Sequence, residues 1–240
     1  MKRQIVQAAE LWPRRAPGLP PGQRRLAAFP RFGDPRSAPP ATTGARGVTI
    51  DGAGGPPLSL RLDELNGLEW TEQRSDLHCV ATWSHPGLLW GGVAMQTVWR
   101  DVVQPQLGRH AAVPFARAVG ADGYQAVFHL DDLLRPDVML ALTLDGKPLD
   151  SRHGAPLRLV SPAQYGYKSV KHLVGIQLHE RWPRSWLGNK EHLRARVALE
   201  ERHSRYPGRL LRVPYRLTVP VIALLSERSS GTQKSADAGS

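Results

Sequence analysis

The chain is poorest in cysteine. Its 240 residues hold one, Cys79. A single thiol can form no internal disulfide and no cysteine-rich zinc site. It can be core filling, a thiol nucleophile, or one thiolate ligand to a metal held mainly by something else. Long apolar runs are missing too. The longest, Leu217 to Leu225, contains Pro220 and reaches about half of the roughly 18–20 residues that span a bilayer. Several motifs do not occur: G-x-S-x-G, a P-loop, G-x-G-x-x-G, H-E-x-x-H and C-x-x-C. The common hydrolase, NTPase and dinucleotide-binding readings lose their main support. The nine histidines are scattered. Taken singly, each reads first as a surface or satisfied core residue rather than a ligand.

Acidic residues are scarce at the start of the chain. Residues 1–46 carry nine Lys or Arg against Glu10 and Asp34, which is +7 of the formal +11. The basic character therefore belongs mostly to a Pro-rich arm over residues 1–46, expected to lie solvated on the domain surface. Nucleic-acid binding through that arm is the weaker alternative. Arg14-Arg15 and Arg24-Arg25 are followed by Pro and Gly or short mixed sequence, not by an apolar h-region, so no secretory signal is read here. One unpaired cysteine suits a reducing compartment, and the cytoplasm is the expected location.

What is present reads as an ordinary globular body. Hydrophobic residues make up 41% and charged residues 22%. That composition and length fit one domain, set at residues 47–225, with a polar tail at 226–240 expected to be disordered. The 21 Pro and 23 Gly favour short strands over long helices. Strands are expected at Val48 to Asp51, Leu58 to Leu62, Asp76 to Trp83, Gln125 to Leu130, Leu157 to Val160 and Val170 to Leu178. Val138 to Leu144 and Lys147 to Leu149 form a hairpin around Asp145-Gly146, a pair that tolerates positive φ. Helical segments are expected at Leu62 to Leu68, at Val93 to Val103 and within 189–203. The fold class is α+β, β-rich, in a single domain.

Two blocks of sequence carry more than pattern. The first is Asp76-Leu77-His78-Cys79-Val80-Ala81-Thr82-Trp83-Ser84, followed by Trp90-Gly91-Gly92-Val93. The second runs through Asp145-Gly146-Lys147-Pro148-Leu149, then His153-Gly154-Ala155-Pro156-Leu157-Arg158, then Tyr165-Gly166-Tyr167-Lys168-Ser169-Val170-Lys171. Asp122-Gly123-Tyr124 lies between them, and Pro20-Pro21-Gly22-Gln23 with Phe29-Pro30 lies near the start. In this order and spacing they resemble the molybdopterin-binding oxidoreductase domain of the sulfite oxidase superfamily. The likeness is nearer to its bacterial haem-free branch, which includes methionine sulfoxide reductase catalytic subunits.

The resemblance implies a sulfite-oxidase-type molybdopterin-binding fold and a Mo-molybdopterin cofactor. It makes Cys79 the one protein ligand to molybdenum, bound as thiolate. It implies cofactor contacts from His153, Arg158, Lys168, Ser169, Val170 and Lys171; a guanidinium or ammonium there would meet phosphate or pterin edges. His153 stands where the reductase branch commonly has asparagine. Lys190-Glu191-His192 and Glu200-Glu201-Arg202 match the family's C-terminal pattern only in part, and His192 is carried as a catalytic candidate. The activity implied is oxygen-atom transfer on a small-molecule substrate. No haem motif is present, so a separate electron-transfer protein or haem subunit is implied. No membrane span is expected. The alternative is a non-catalytic module that kept the fold for binding.

Overall fold

The computed structural model describes residues 18–26, 40, 47–52, 54–107, 113–184 and 187–221. Most of the 1–46 arm and all of the 226–240 tail lie outside these residues. Eleven strands can be traced among the described residues: β1 Arg24–Arg25, β2 Gly47–Gly52, β3 Gly55–Arg61, β4 Trp70–His78, β5 Trp83–Ala94, β6 Phe115–Gly120, β7 Gln125–His129, β8 Met139–Leu144, β9 Lys147–Pro148, β10 Arg158–Val160 and β11 Leu173–His179. Short helices are α1 Leu62–Asn66, α2 Met95–Val98 and α3 Leu130–Leu133.

The strands form two sheets. One runs β1-β5-β8-β10, with β4 beside β5 and β9 beside β8; the other runs β3-β2-β11-β6-β7. The first sheet buries both faces, and period-two alternation decides what each face holds. In β8 and β10, Leu140 and Leu159 join the main core with Ile50, Ala118 and Ile176 of the second sheet. Their neighbours Met139, Ala141 and Val160 point the other way, into a second apolar cluster with Leu26, Cys79, Trp83, Trp90 and Val219. Arg158 is two residues from Val160, so it shares the face of this second cluster, and its guanidinium lies 5.1 Å from the Trp90 ring. Gly92 permits the tight β5–β8 pairing: a Cβ there would sit 2.0 Å from the Leu140 carbonyl oxygen.

Several expectations hold. The hairpin turn falls at Asp145 (φ 50°) and Gly146 (φ 74°). The first two strands and those at β7, β8 and β10 lie within a residue or a few of their expected bounds. Others need correction. The strand expected over Asp76 to Trp83 stops at His78, and Cys79 to Thr82 form a turn before β5. Thr82 adopts φ 71° there, a conformation with no Gly or Asn to announce it. The helix expected from Val93 begins only at Met95 and passes into a π-turn at Trp99–Val103, because Val93 and Ala94 still pair with β8. α1 ends at Gly67, whose N–H caps the Glu64 and Leu65 carbonyls. The helix expected within 189–203 is replaced by two 3-10 turns, Gly188–Lys190 and Val197–Leu199. Ala195 and Glu200 take positive φ and break any longer helix. Residues 212–221 are helical, which the pattern did not announce. Part of the basic arm belongs to the fold: β1 pairs parallel with β5, and Leu26 is fully buried.

Candidate functional site

Cys79 opens the turn between β4 and β5. Its N–H donates to the Trp83 carbonyl (2.8 Å), and the Thr82 N–H donates back to the Cys79 carbonyl (3.0 Å). Its sulfur accepts the Ala81 N–H at 3.5 Å. The residue is buried. Burial pushes the thiol up to about 12, against smaller downward pulls from the Ala81 N–H and the Arg202 charge. Among the described residues, burial outweighs the two groups that would activate the thiol as a free nucleophile.

Two distant stretches of chain close on this turn. From the N-terminal side, Gln23 Nε2 donates to the Cys79 carbonyl (3.2 Å), and its Oε1 accepts the Ser84 hydroxyl (3.0 Å). Ser84 Oγ lies 2.7 Å from His78 Nδ1. Since that hydroxyl spends its proton on Gln23, His78 must donate from Nδ1. Burial holds the His78 imidazole below its usual range. From the C-terminal side comes Arg202, fully buried. It donates to the Val80 carbonyl (2.7 Å) and the Pro21 carbonyl (3.4 Å), and stacks 4.9 Å over the Tyr165 ring. Its Nε has no hydrogen-bond partner among the described residues. Sequence reasoning did not name Gln23, His78, Ser84 or Arg202 as site residues. The signal was present in Pro20-Pro21-Gly22-Gln23 and in Glu200-Glu201-Arg202, but nothing in one dimension joins them to Cys79.

A second group gathers around the 150–157 turn. Arg158 is buried, and burial alone draws its guanidinium down to about 10. Its Nη1 donates to the His153 carbonyl (3.0 Å), and Lys171 Nζ donates to the Arg152 carbonyl (2.7 Å). His153 Nδ1 meets Asp150 Oδ1 at 2.9 Å, and this bond above all lowers the Asp150 carboxyl to about 2. Ser169 is buried, and its hydroxyl accepts the Ser161 N–H (3.1 Å). Val170 is core, its carbonyl accepting the Leu159 N–H (2.9 Å). The structure thus gathers His153, Arg158 and Lys171 around one turn, with Ser169 and Val170 holding the backbone that leads to Lys171.

Lys168 goes elsewhere. Its ammonium is fully buried, 2.5 Å from Glu191 Oε1, and also donates to the Val127 and Leu193 carbonyls. Glu191 in turn accepts the Val127 N–H (3.1 Å). These bonds tie the 3-10 turn at Gly166–Lys168 to β7 and to the segment around 191–193. Burial lowers the Lys168 ammonium while Glu191 supports its charge. His192 lies beside this pair, in irregular chain rather than on a helix. Its Nδ1 accepts the N–H groups of Arg194 (3.3 Å) and Ala195 (3.1 Å), which leaves the proton on Nε2. Burial holds its pKa low despite Glu201 at 3.5 Å. Its own N–H donates to the Tyr167 hydroxyl (3.2 Å), and the Tyr167 carbonyl accepts the Tyr124 hydroxyl (2.7 Å). Among the described residues no three His, Cys, Asp or Glu converge on a common point.

Comparison with known proteins places this arrangement in context. Residues 39–187 match the family described as the oxidoreductase molybdopterin binding domain. The protein-methionine-sulfoxide reductase catalytic subunit MsrP of Xanthomonas campestris is 34% identical over 147 residues, covering 57% of this chain and 45% of the relative. The uncharacterised oxidoreductase YuiH of Bacillus subtilis is 33% identical over 140 residues, covering 58% of this chain and 68% of the relative. The chain thus spans about half the length of the Xanthomonas protein. Among solved structures, the sulfane dehydrogenase SoxCD from Paracoccus pantotrophus shares the fold, with a TM-score of 0.52 at 20% identity over 60% of this chain and 41% of that one. Gln23 and Arg202 both lie outside the matched segment, yet both contact the Cys79 turn.

Proposed function

Because this chain belongs to the oxidoreductase molybdopterin-binding domain family, whose cofactor is Mo-molybdopterin, we propose that it is an oxygen-atom-transfer oxidoreductase with Cys79 as the protein ligand to molybdenum. One observation carries the reading: the sole cysteine sits on a turn clamped from both ends of the chain, on the sheet face that also bears Arg158. The donor set fits the cofactor. With no convergent His, Cys, Asp or Glu trio among the described residues, a metal at Cys79 would take its other donors from a bound organic group. Soft sulfur suits such a metal. When bound, the group supplies the two-electron redox couple and the centre where an oxygen atom is exchanged with substrate.

The chain's own residues do the rest. Arg202 and the Ala81 N–H favour the thiolate form of Cys79, opposing the burial that holds it protonated. Gln23, Ser84 and His78 fix the turn so that the sulfur keeps one direction. His153, Arg158 and Lys171 are the groups we assign to the cofactor's phosphate and polar edges, Arg158 with a fork suited to two parallel bonds. Ser169 acts through its hydroxyl, which accepts the Ser161 N–H, and Val170 through its backbone carbonyl. His192, with Nε2 protonated, is the candidate we carry as a hydrogen-bond donor to substrate.

The Xanthomonas relative's name directs the substrate class to sulfoxides. Reduction of a sulfoxide breaks its S–O bond, consumes two electrons and two protons, and releases water. The electrons would come from a separate carrier. The cytoplasm is the location we propose, and cell fractionation tests it. The decisive experiment is molybdenum content by elemental mass spectrometry with pterin fluorescence, on wild type and Cys79→Ser, from a host that loads a control enzyme. Near-stoichiometric metal and pterin in wild type, with metal lost in Cys79→Ser, is expected. Pterin absent from both proteins overturns the reading in favour of a non-catalytic binding module.

A further inference from the structure

The segment at 208–221 has three faces. Gly208–Leu211 form a 3-10 turn, and residues 212–221 continue as helix. The inner face holds Tyr215 and the fully buried Val219, packed into the cluster that contains Cys79. The outer face holds Leu210, Val213, Leu217 and Val221, each about 60% exposed or more except Val221 at 59%. Their spacing of three, four and four residues aligns them in a single stripe. Single exposed apolar residues are ordinary, but an aligned row of four marks a contact surface.

A third face flanks the stripe with cations. Arg209, Arg212 and Arg216 follow the same rhythm, one residue before Leu210, Val213 and Leu217. Arg212 is engaged by Glu200, and Arg216 Nε donates to Thr82 Oγ1 (3.3 Å) in the Cys79 turn. With Arg24, these three arginines line a cavity of about 670 Å³ between the helix and Leu19 to Arg24; Glu200, bound to Arg212 and close to Gly22, is the one carboxylate beside it among the described residues. From His203 to Ser226 the sequence holds four arginines and no Asp or Glu. Tyr206, 60% exposed, sits at the near end of the segment.

This charge pattern selects the occupant. A second copy packed stripe to stripe would bring two arginine rows together with no carboxylate in the segment to oppose them. An anionic phospholipid surface offers phosphates at the height of the arginines and acyl chains at the height of the stripe. Arginine stems can lie along the apolar boundary with their heads among phosphates, and tyrosine favours that same boundary. No helix among the described residues is long and apolar enough to cross a membrane, so the contact would lie on the surface rather than span it. We propose that the 208–221 segment docks this protein on anionic membranes, with Leu210, Val213, Leu217 and Val221 inserted below the headgroups and a lipid phosphate seated in the arginine-lined cavity. Docking there holds the Cys79 side of the molecule at a defined orientation to the membrane.

The test is vesicle flotation of the full chain, using phosphatidylcholine vesicles with and without phosphatidylglycerol. Binding only to the phosphatidylglycerol vesicles, weakened by added salt, is expected. Arg209→Glu should weaken it at least about fivefold, the worth of one surface cation near anionic lipid. Leu217→Asp should weaken it about tenfold or more. Both residues are exposed, and circular dichroism checks that the fold survives. Absence of flotation, or full binding retained by the double variant Arg209→Glu/Leu217→Asp, overturns the proposal; the second result would assign lipid contact to the basic arm. A dimer in sedimentation that Leu217→Asp dissolves, without flotation, would assign the stripe to a second copy and overturn it equally.

Discussion

Replacing Lys168 by Met tests whether this cation serves the fold or the cofactor. The ammonium and Glu191 are 0% and 1% exposed and 2.5 Å apart. Removing one partner strands the other charge in a dry interior, which costs about 3–5 kcal/mol. Lys168→Met and Glu191→Met should each show a loss of this size in urea unfolding of the metal-free protein. The double variant strands no charge. It leaves the Val127 N–H and carbonyl without those partners, at about 1–3 kcal/mol each. It should therefore lose about 2–6 kcal/mol, below the roughly 6–10 kcal/mol of additive singles. Pterin content, measured in parallel, supplies the contrast. A Lys168→Met protein that unfolds within about 1 kcal/mol of wild type but carries no pterin would refute the argument and return Lys168 to the cofactor group.

Further expectations follow from the same geometry. Arg202→Met removes a charged hydrogen bond to the Val80 carbonyl and a cation–π contact with Tyr165, so it should cost about 3–5 kcal/mol in thermal or urea unfolding. It also removes a charge that lowers the Cys79 thiol, so thiol alkylation in metal-free protein should require still higher pH. Arg158→Ala should weaken cofactor retention by about 1.5–3 kcal/mol, read as pterin lost on dilution. The Asp150 carboxyl sits at about 2 when folded, against an ordinary 3.8. Its contribution to stability is present above that ordinary value and fades as pH falls toward about 2. Asp150→Asn should therefore narrow its stability gap to wild type on acidification, by an amount reduced by solvent because the side chain is more than half exposed.

Much of the proposed chemistry can be read in one dimension, and the reason is physical. A metal held by an organic dithiolene asks the protein for one soft ligand, and the chain offers one cysteine. The residues proposed to face the cofactor are also local: His153, Arg158 and Lys171 lie within 19 residues, so short turns suffice to gather them around the 150–157 segment. Short runs of strand-favouring residues foretold β7, β8 and β10, and Asp145-Gly146 foretold its own turn, because strand propensity and positive φ are properties of a few adjacent residues.

Tertiary structure alone decided the rest. The alternation across Asp76 to Trp83 is equally compatible with one strand or with two strands and a turn. Pairing of β4 with β5, and the bond between the Cys79 N–H and the Trp83 carbonyl, chose the turn and so placed the cysteine at its start. Lys168 and Lys171 read as similar cations three residues apart, yet one is consumed by Glu191 and the other reaches the 150–157 turn. Which partner each meets depends on how the Gly166–Lys168 turn lies against β7. The helix expected around His192 failed because Ala195 and Glu200 adopt left-handed backbone under tertiary bonds, against local propensity. Gln23 and Arg202 are 179 positions apart and meet at one turn; no spacing rule joins them, because burial of a shared apolar face sets that contact. The sequence by itself determined which chemistry the chain can hold, while the tertiary structure decided which side chains are free to serve it.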